Sequence, residues 1–182
     1  MRIALDEANK AVPTPTAFCV GCVITAPAPA PLPSLPAASA ASAASASPST
    51  STAASFSGHH VLATGFSREI QGNTHAEANA LDKLAARLAA SAGSANATLM
   101  RGASLYTTLE PCSVRTSGLQ PCAERILASG VSRVFMGVEE PTDFVVCEGV
   151  RILREAGVEV VVVVDEAGTL GKKCLAAARR GH

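Results

Sequence analysis

The sequence has no tryptophan, one tyrosine and five phenylalanines in 182 residues. Proteins that hold single-stranded nucleic acid stack its bases on aromatic rings, and this composition argues against such a platform. Net charge is missing as well. Fifteen Lys and Arg balance fifteen Asp and Glu, so no overall field draws in nucleic acid or an anionic membrane. No run approaches the roughly 20 apolar residues of a membrane-spanning helix. The start, MRIALDEANKAV, carries acids and lacks the apolar core and cleavage pattern of a secretion signal. A cytoplasmic protein is expected, with neither nucleic acid nor membrane as partner. In that reducing setting the six cysteines read as thiols or metal ligands rather than disulfides. A small, neutral substrate pocket is what these absences leave.

The length suits a single domain, residues 1–182. The stretch at about 27–57 is an insertion of Ala, Ser and Pro that carries no charge; its prolines and serines prevent a cooperative helix. Before it, a short helix with Ile3, Leu5 and Ala8 as apolar stripe ends at Pro13 and Pro15. AFCVGCVIT reads as a buried strand, and HHVLATGFS as its partner across the insertion. HAEANALDKLAARLAASA follows as a helix with Ala78, Leu81, Leu84, Ala85 and Leu88 on one face. From there strands ASLYTTLEP, VSRVFMGVE and VEVVVVVD alternate with helices, two of them closed by Gly130 and Gly157. Such alternation favours parallel strands joined by right-handed crossovers. The expected fold is α/β, a three-layer α/β/α sandwich with a mixed five-stranded sheet.

THAEANAL, at residues 74–81, sets His75 and Glu77 at the head of a helix, and EPCSVRTSGLQPC places Cys112 after a strand and Cys122 at a helix start. Strand C-termini and helix N-termini meet at one edge of an α/β sheet. Three ligands of the kind zinc accepts therefore converge, and a catalytic zinc takes three protein ligands and leaves one position open. Glu77, two residues after His75, diverges from it by roughly 200° around the helix. That spacing suits a carboxylate that reaches the reacting water rather than the metal. Taken singly, each residue has an ordinary explanation: a histidine capping a helix, a buried cysteine, a glutamate favoured by the helix dipole. Together they point to a metal. Cys19 and Cys22 lie in an apolar strand that turns residues three apart to opposite faces, so they read as core. Cys147 and Cys174 fall on helices.

H-x-E followed by P-C-x-x-C is the signature of the cytidine-deaminase-like zinc superfamily, which this sequence resembles. Here nine residues, Ser113 to Pro121, separate the cysteines instead of two. That long loop, with LYTTLEPC before it and ILASGVSRVFMGVEEP after it, is similar to the pyrimidine deaminases of riboflavin biosynthesis. GFSREIQGNTHAEANAL and TPTAFCVGCVI resemble their fungal-type, stand-alone form. The resemblance implies one zinc ion per chain, held by His75, Cys112 and Cys122, with Glu77 as proton shuttle. It further implies hydrolytic deamination of a phosphorylated diaminopyrimidinone, and a homodimer. A reductase domain, fused in the bacterial relatives, is not expected here. Those relatives carry an Asn-Pro pair where this chain has Thr16-Ala17-Phe18, so their substrate contacts are not transferred. A monophosphate is read by cations and N–H donors. Arg115, with Ser117 beside it, is the first expectation for that task; Arg68, Glu69 and Asn73 are the others. Two further readings stand beside this one. A nucleoside or tRNA deaminase of the same superfamily would favour the short cysteine spacing and, for tRNA, a basic stripe. A zinc-stabilised binding module would need a fourth protein ligand and has no use for Glu77.

Overall fold

The structure, a computed structural model, describes residues 1–27, 55–56, 58–90, 100, 102–115, 117–139 and 147–181. Helix α1 (Arg2–Lys10) is followed by strand β1 (Gly21–Pro27), the two-residue β2 (Ser55–Phe56), β3 (His59–Phe66) and α2 (Ala76–Ala90). The second half runs β4 (Ser104–Thr107), α3 (Cys122–Ser129), β5 (Arg133–Met136), α4 (Gly149–Glu155), β6 (Glu159–Val162) and α5 (Leu170–Ala178). Most of the Ala/Ser/Pro stretch, residues 28–54, lies outside the described residues.

The sheet order is β2-β3-β1-β4-β5-β6. Strand β1 pairs antiparallel with both β3 and β4, while β4, β5 and β6 run parallel. The expected mixed sheet of five strands is therefore present, with β2 added as a short edge at the end of the insertion. Helices α2, α3 and α4 pack together on one face, and α1 and α5 on the other, giving three layers. Alternation along the strands divides the two sides. Ile24, Leu105, Val134 and Met136 face the first group and join Leu84, Ile126 and Leu153 in the main core. Each such side chain contributes about 1.5–3 kcal/mol by leaving water. On the opposite face Tyr106 and Phe135, cross-strand partners, stack at 4.8 Å.

Two glycines let the helices approach. A Cβ on Gly21 would lie 1.9 Å from the Ala4 carbonyl oxygen of α1, and one on Gly65 would lie 2.4 Å from the Ala76 carbonyl oxygen of α2. Backbone contact of this kind is why α1 buries Ala4, Glu7 and Ala8, rather than the expected stripe with Ile3 and Leu5, which are only half-buried. The expected face of α2 is also altered. Its first turns are buried all round, from Ala76 to Leu81, whereas Ala85 is exposed. The helix start is wedged between the sheet and the loops that carry the cysteines, and its second half leaves that wedge.

Other boundaries shift for identifiable reasons. β1 begins at Gly21, not Ala17, because residues before it bond to the turn after β3: Val20 N–H donates to Ser67 Oγ at 2.9 Å. Cys19 thus precedes the strand, though it and Cys22 are fully buried as expected of core residues. β6 stops at Val162 because β5 ends at Met136, whose carbonyl takes the last bond, from Val163 N–H at 2.8 Å. Cys174 lies on α5, but Cys147 precedes α4 instead of lying on it. Gly130 and Gly157 close their helices with φ of 77° and 85°, the left-handed geometry anticipated for them.

Candidate active site

His75 occupies the residue before α2, and its carbonyl accepts the Asn79 N–H at 3.0 Å, opening the helix. Asn79, nearly fully buried, fixes that start: its side-chain amide donates to the Phe66 carbonyl at 2.9 Å and to Thr74 Oγ1 at 3.1 Å. Cys122 is the first residue of α3. Cys112 reaches the same place from the run after β4, held by the Cys122 N–H, which donates to its sulfur at 3.3 Å. The loop is also tied to α4. Glu110 accepts the Val150 N–H at 3.0 Å, and Ser113 Oγ accepts the Glu148 N–H at 3.0 Å.

The three expected ligands come together. His75 Nδ1 lies 3.4 Å from Cys112 Sγ and 3.5 Å from Cys122 Sγ, and all three ligand atoms are within 4.8 Å of one another. Tetrahedral zinc with bonds near 2.0 and 2.3 Å to nitrogen and sulfur would separate those donors by about 3.6 Å. The cluster fits. It is the one group of three such ligands found among the described residues, with no fourth protein donor in it.

Electrostatics prepare the sulfurs. The Cys122 thiol hydrogen-bonds to Cys112, which with His75 and the Cys122 N–H brings the Cys112 thiol down to about 4. As the donor of that pair, and deeply buried, Cys122 is pushed well above the usual thiol range. The two thiols titrate as a pair, and a divalent cation held between them would favour the thiolate form of both. Glu77 is buried beside the cluster, and burial raises its carboxyl, with His75 opposing the shift. Thr107 Oγ1 donates to Glu77 Oε1 at 2.8 Å.

A cavity of about 200 Å³ opens against these groups, lined in part by His75, Glu77, Cys112, Asn73, Arg68 and Phe18. Of the residues expected to read the substrate, Asn73 and Arg68 line it; Arg115, Ser117 and Glu69 do not. Arg115 donates through Nη2 to the Asn73 carbonyl, at the cavity's border. Ser117 is exposed on the loop between the cysteines. Glu69 pairs with Lys83 at 2.5 Å. Sequence reasoning missed Thr107, the partner of Glu77, Glu110, and the wall formed by Thr16, Ala17, Phe18 and Val20. Thr107 and Glu110 lie within TTLEP, and nothing in their spacing marks them as partners of distant residues.

The model of the cytidine and deoxycytidylate deaminase zinc-binding region matches residues 34–138, and the chain belongs to that family. The diaminohydroxyphosphoribosylamino-pyrimidine deaminase of Schizosaccharomyces pombe is 35% identical over 179 residues, 98% of this chain and 34% of that protein. A riboflavin biosynthesis protein RibD of Bacillus amyloliquefaciens is 45% identical over 89 residues, 49% of this chain and 20% of that one. The chain thus spans no more than 34% of the length of these two curated relatives. Among solved structures, the Aspergillus oryzae Rib2 deaminase aligns with a TM-score of 0.69 at 27% identity, over 100% of this chain and 89% of that chain. That deaminase has also been solved in complex with DARIPP. No described helix is long and apolar enough to cross a membrane.

Proposed function

We propose that the protein is a zinc-dependent pyrimidine deaminase of riboflavin biosynthesis. Its substrate is 2,5-diamino-6-ribitylamino-4(3H)-pyrimidinone 5'-phosphate or the ribosyl form, from which water removes one amino group as ammonia. The observation that carries this reading is the His75/Cys112/Cys122 cluster with Glu77 buried beside it, in a chain similar over 98% of its length to a deaminase of that name.

His75, Cys112 and Cys122 would hold the zinc, one ion per chain. Bound there, zinc supplies the Lewis acidity that makes water nucleophilic near neutral pH. Glu77 takes the proton released by the attacking water and delivers it to the departing nitrogen. Burial suits Glu77 to this task, because a raised carboxyl pKa makes it a better acceptor of the proton from water and lets it hold that proton until the nitrogen departs. Thr107 orients the carboxylate. At about 200 Å³ the cavity is smaller than the ~300–1,000 Å³ of most ligand pockets. It takes the ring, and the sugar phosphate lies across the mouth towards Asn73 and Arg115, with Ser117 on the same loop. The balanced charge and cysteines that form no disulfide support a cytoplasmic enzyme, and we place it there as a homodimer.

Purified, zinc-loaded protein is offered the ribityl and ribosyl diaminopyrimidinone phosphates and cytidine, with ammonia as readout. Turnover of either diaminopyrimidinone is expected. Release from cytidine alone would favour the nucleoside deaminase instead. Glu77→Gln should keep its zinc and lose at least about 100-fold in kcat, the usual scale of a lost proton-transfer group.

A further inference from the structure

Among the described residues, Arg68 is the one non-glycine side chain held at positive φ, 62°. Such a backbone is disfavoured for residues bearing a Cβ and persists where surrounding contacts over-determine it. The contacts are visible. Nε and Nη2 donate to the Val12 carbonyl at 3.2 and 2.6 Å, and Nη1 donates to the Phe18 carbonyl at 3.2 Å and the Ala17 carbonyl at 3.5 Å. Nη2 also reaches Cys19 Sγ at 3.3 Å. A guanidinium has five N–H donors in one plane, and every nitrogen here is turned towards residues 12–19. Its own N–H donates to the Thr74 carbonyl at 2.8 Å, just before His75. Beside it, Ser67 exchanges two bonds of 2.9 Å with Val20. Ser67 and Arg68 therefore clasp the segment whose Thr16, Ala17, Phe18 and Val20 form a wall of the cavity shared with His75 and Glu77.

We propose that Arg68 is a positioning residue that sets the Ala17–Phe18 wall against the substrate ring, and not the residue that binds its phosphate. This rests on the deaminase reading. A lysine in its place would keep the charge but offer no planar fork to span three carbonyls.

The test uses the full chain loaded with zinc, as wild type, Arg68→Lys and Arg68→Ala. The probes are the phosphorylated diaminopyrimidinone, its dephosphorylated analogue and inorganic phosphate as inhibitor. Both variants should raise KM about tenfold for both pyrimidines, with kcat within about twofold, as expected for lost ground-state positioning. Inhibition by phosphate should not change. A loss confined to the phosphorylated substrate, a lysine variant with wild-type KM, or unchanged KM in both variants overturns the proposal. Hydrogen exchange separates it from the deaminase reading. Amides of Cys19 and Val20 should exchange faster in both variants whether or not the wild type turns over, and unchanged exchange overturns the positioning role of Arg68. Absence of wild-type turnover on both pyrimidines would sink the deaminase reading by itself.

Discussion

Thr107→Val tests how Glu77, the proposed proton shuttle, is held. The hydroxyl is fully buried, 2.8 Å from Glu77 Oε1 and 3.0 Å from the Leu109 carbonyl. It has one proton and two acceptors. When Glu77 is ionised, the charge draws the proton, since hydrogen bonds to ions are the stronger kind. When Glu77 is protonated, the same oxygen accepts from the carboxyl and turns its own proton to Leu109. One side chain thus serves both states through which a proton shuttle passes. Valine keeps the shape and removes both arrangements. A hydrogen bond to a charged group contributes about 1.5–3 kcal/mol. At about 1.4 kcal/mol per decade, kcat should fall roughly 10- to 150-fold. The direction with pH follows as well. Losing a donor to the carboxylate disfavours the charged form, so the acid limb of the kcat profile should move to higher pH. The assay is ammonia release at saturating zinc and substrate, with metal content and thermal unfolding as controls. A folded, zinc-replete valine variant with kcat within about twofold of wild type would refute the reasoning, whereas Thr107→Ser should retain most activity.

Gly65→Ala should lower stability. Its Cβ would sit 2.4 Å from the Ala76 carbonyl oxygen and 2.7 Å from the Ala80 nitrogen, and overpacking of this kind costs about 1–3 kcal/mol. Thermal unfolding should drop by about 2–12 °C at this chain length, and zinc affinity should weaken because His75 leads directly into α2; an unchanged Tm would contradict the packing. Asp165 caps α5 by accepting the Leu170 N–H at 2.9 Å and the Thr169 hydroxyl at 2.8 Å, bonds from Leu170 first among those that hold its carboxyl below the usual range. A depressed folded-state pKa means that the contribution is present above the unfolded value of about 3.9 and disappears as pH falls through the folded one. Asp165→Asn should therefore unfold at a lower temperature than wild type at pH 7, with the gap closing in acid; a gap independent of pH would contradict the cap's charge.

The candidate metal cluster was legible because metal chemistry restricts residue type so severely. His75, Cys112 and Cys122 are side chains of the kind zinc accepts at ends of α/β elements that share an edge, and they lie together in the structure. The sheet was legible for a similar reason: helix and strand periods are local, and an alternating order leaves few topologies. Substrate contacts were less so. Arg115, Ser117 and Glu69 were read from their charge and nearness along the chain, yet Arg115 faces a carbonyl and Glu69 a lysine. Polar side chains have many partners of equal chemistry, and only distance in space selects among them.

By itself, the sequence determined the class of fold and singled out the candidate ligands His75, Cys112 and Cys122 with Glu77 beside them, because hydrophobic period and ligand type are properties of residues close along the chain. Tertiary structure decided that Thr107 holds Glu77 across 30 positions, and that Arg68 bonds to a carbonyl 56 residues away. Those pairings depend on how β4 meets α2 and how the turn after β3 meets residues 12–20. Such meetings follow from the packing of whole layers, where two glycines fix how near the helices come, and no local pattern encodes them.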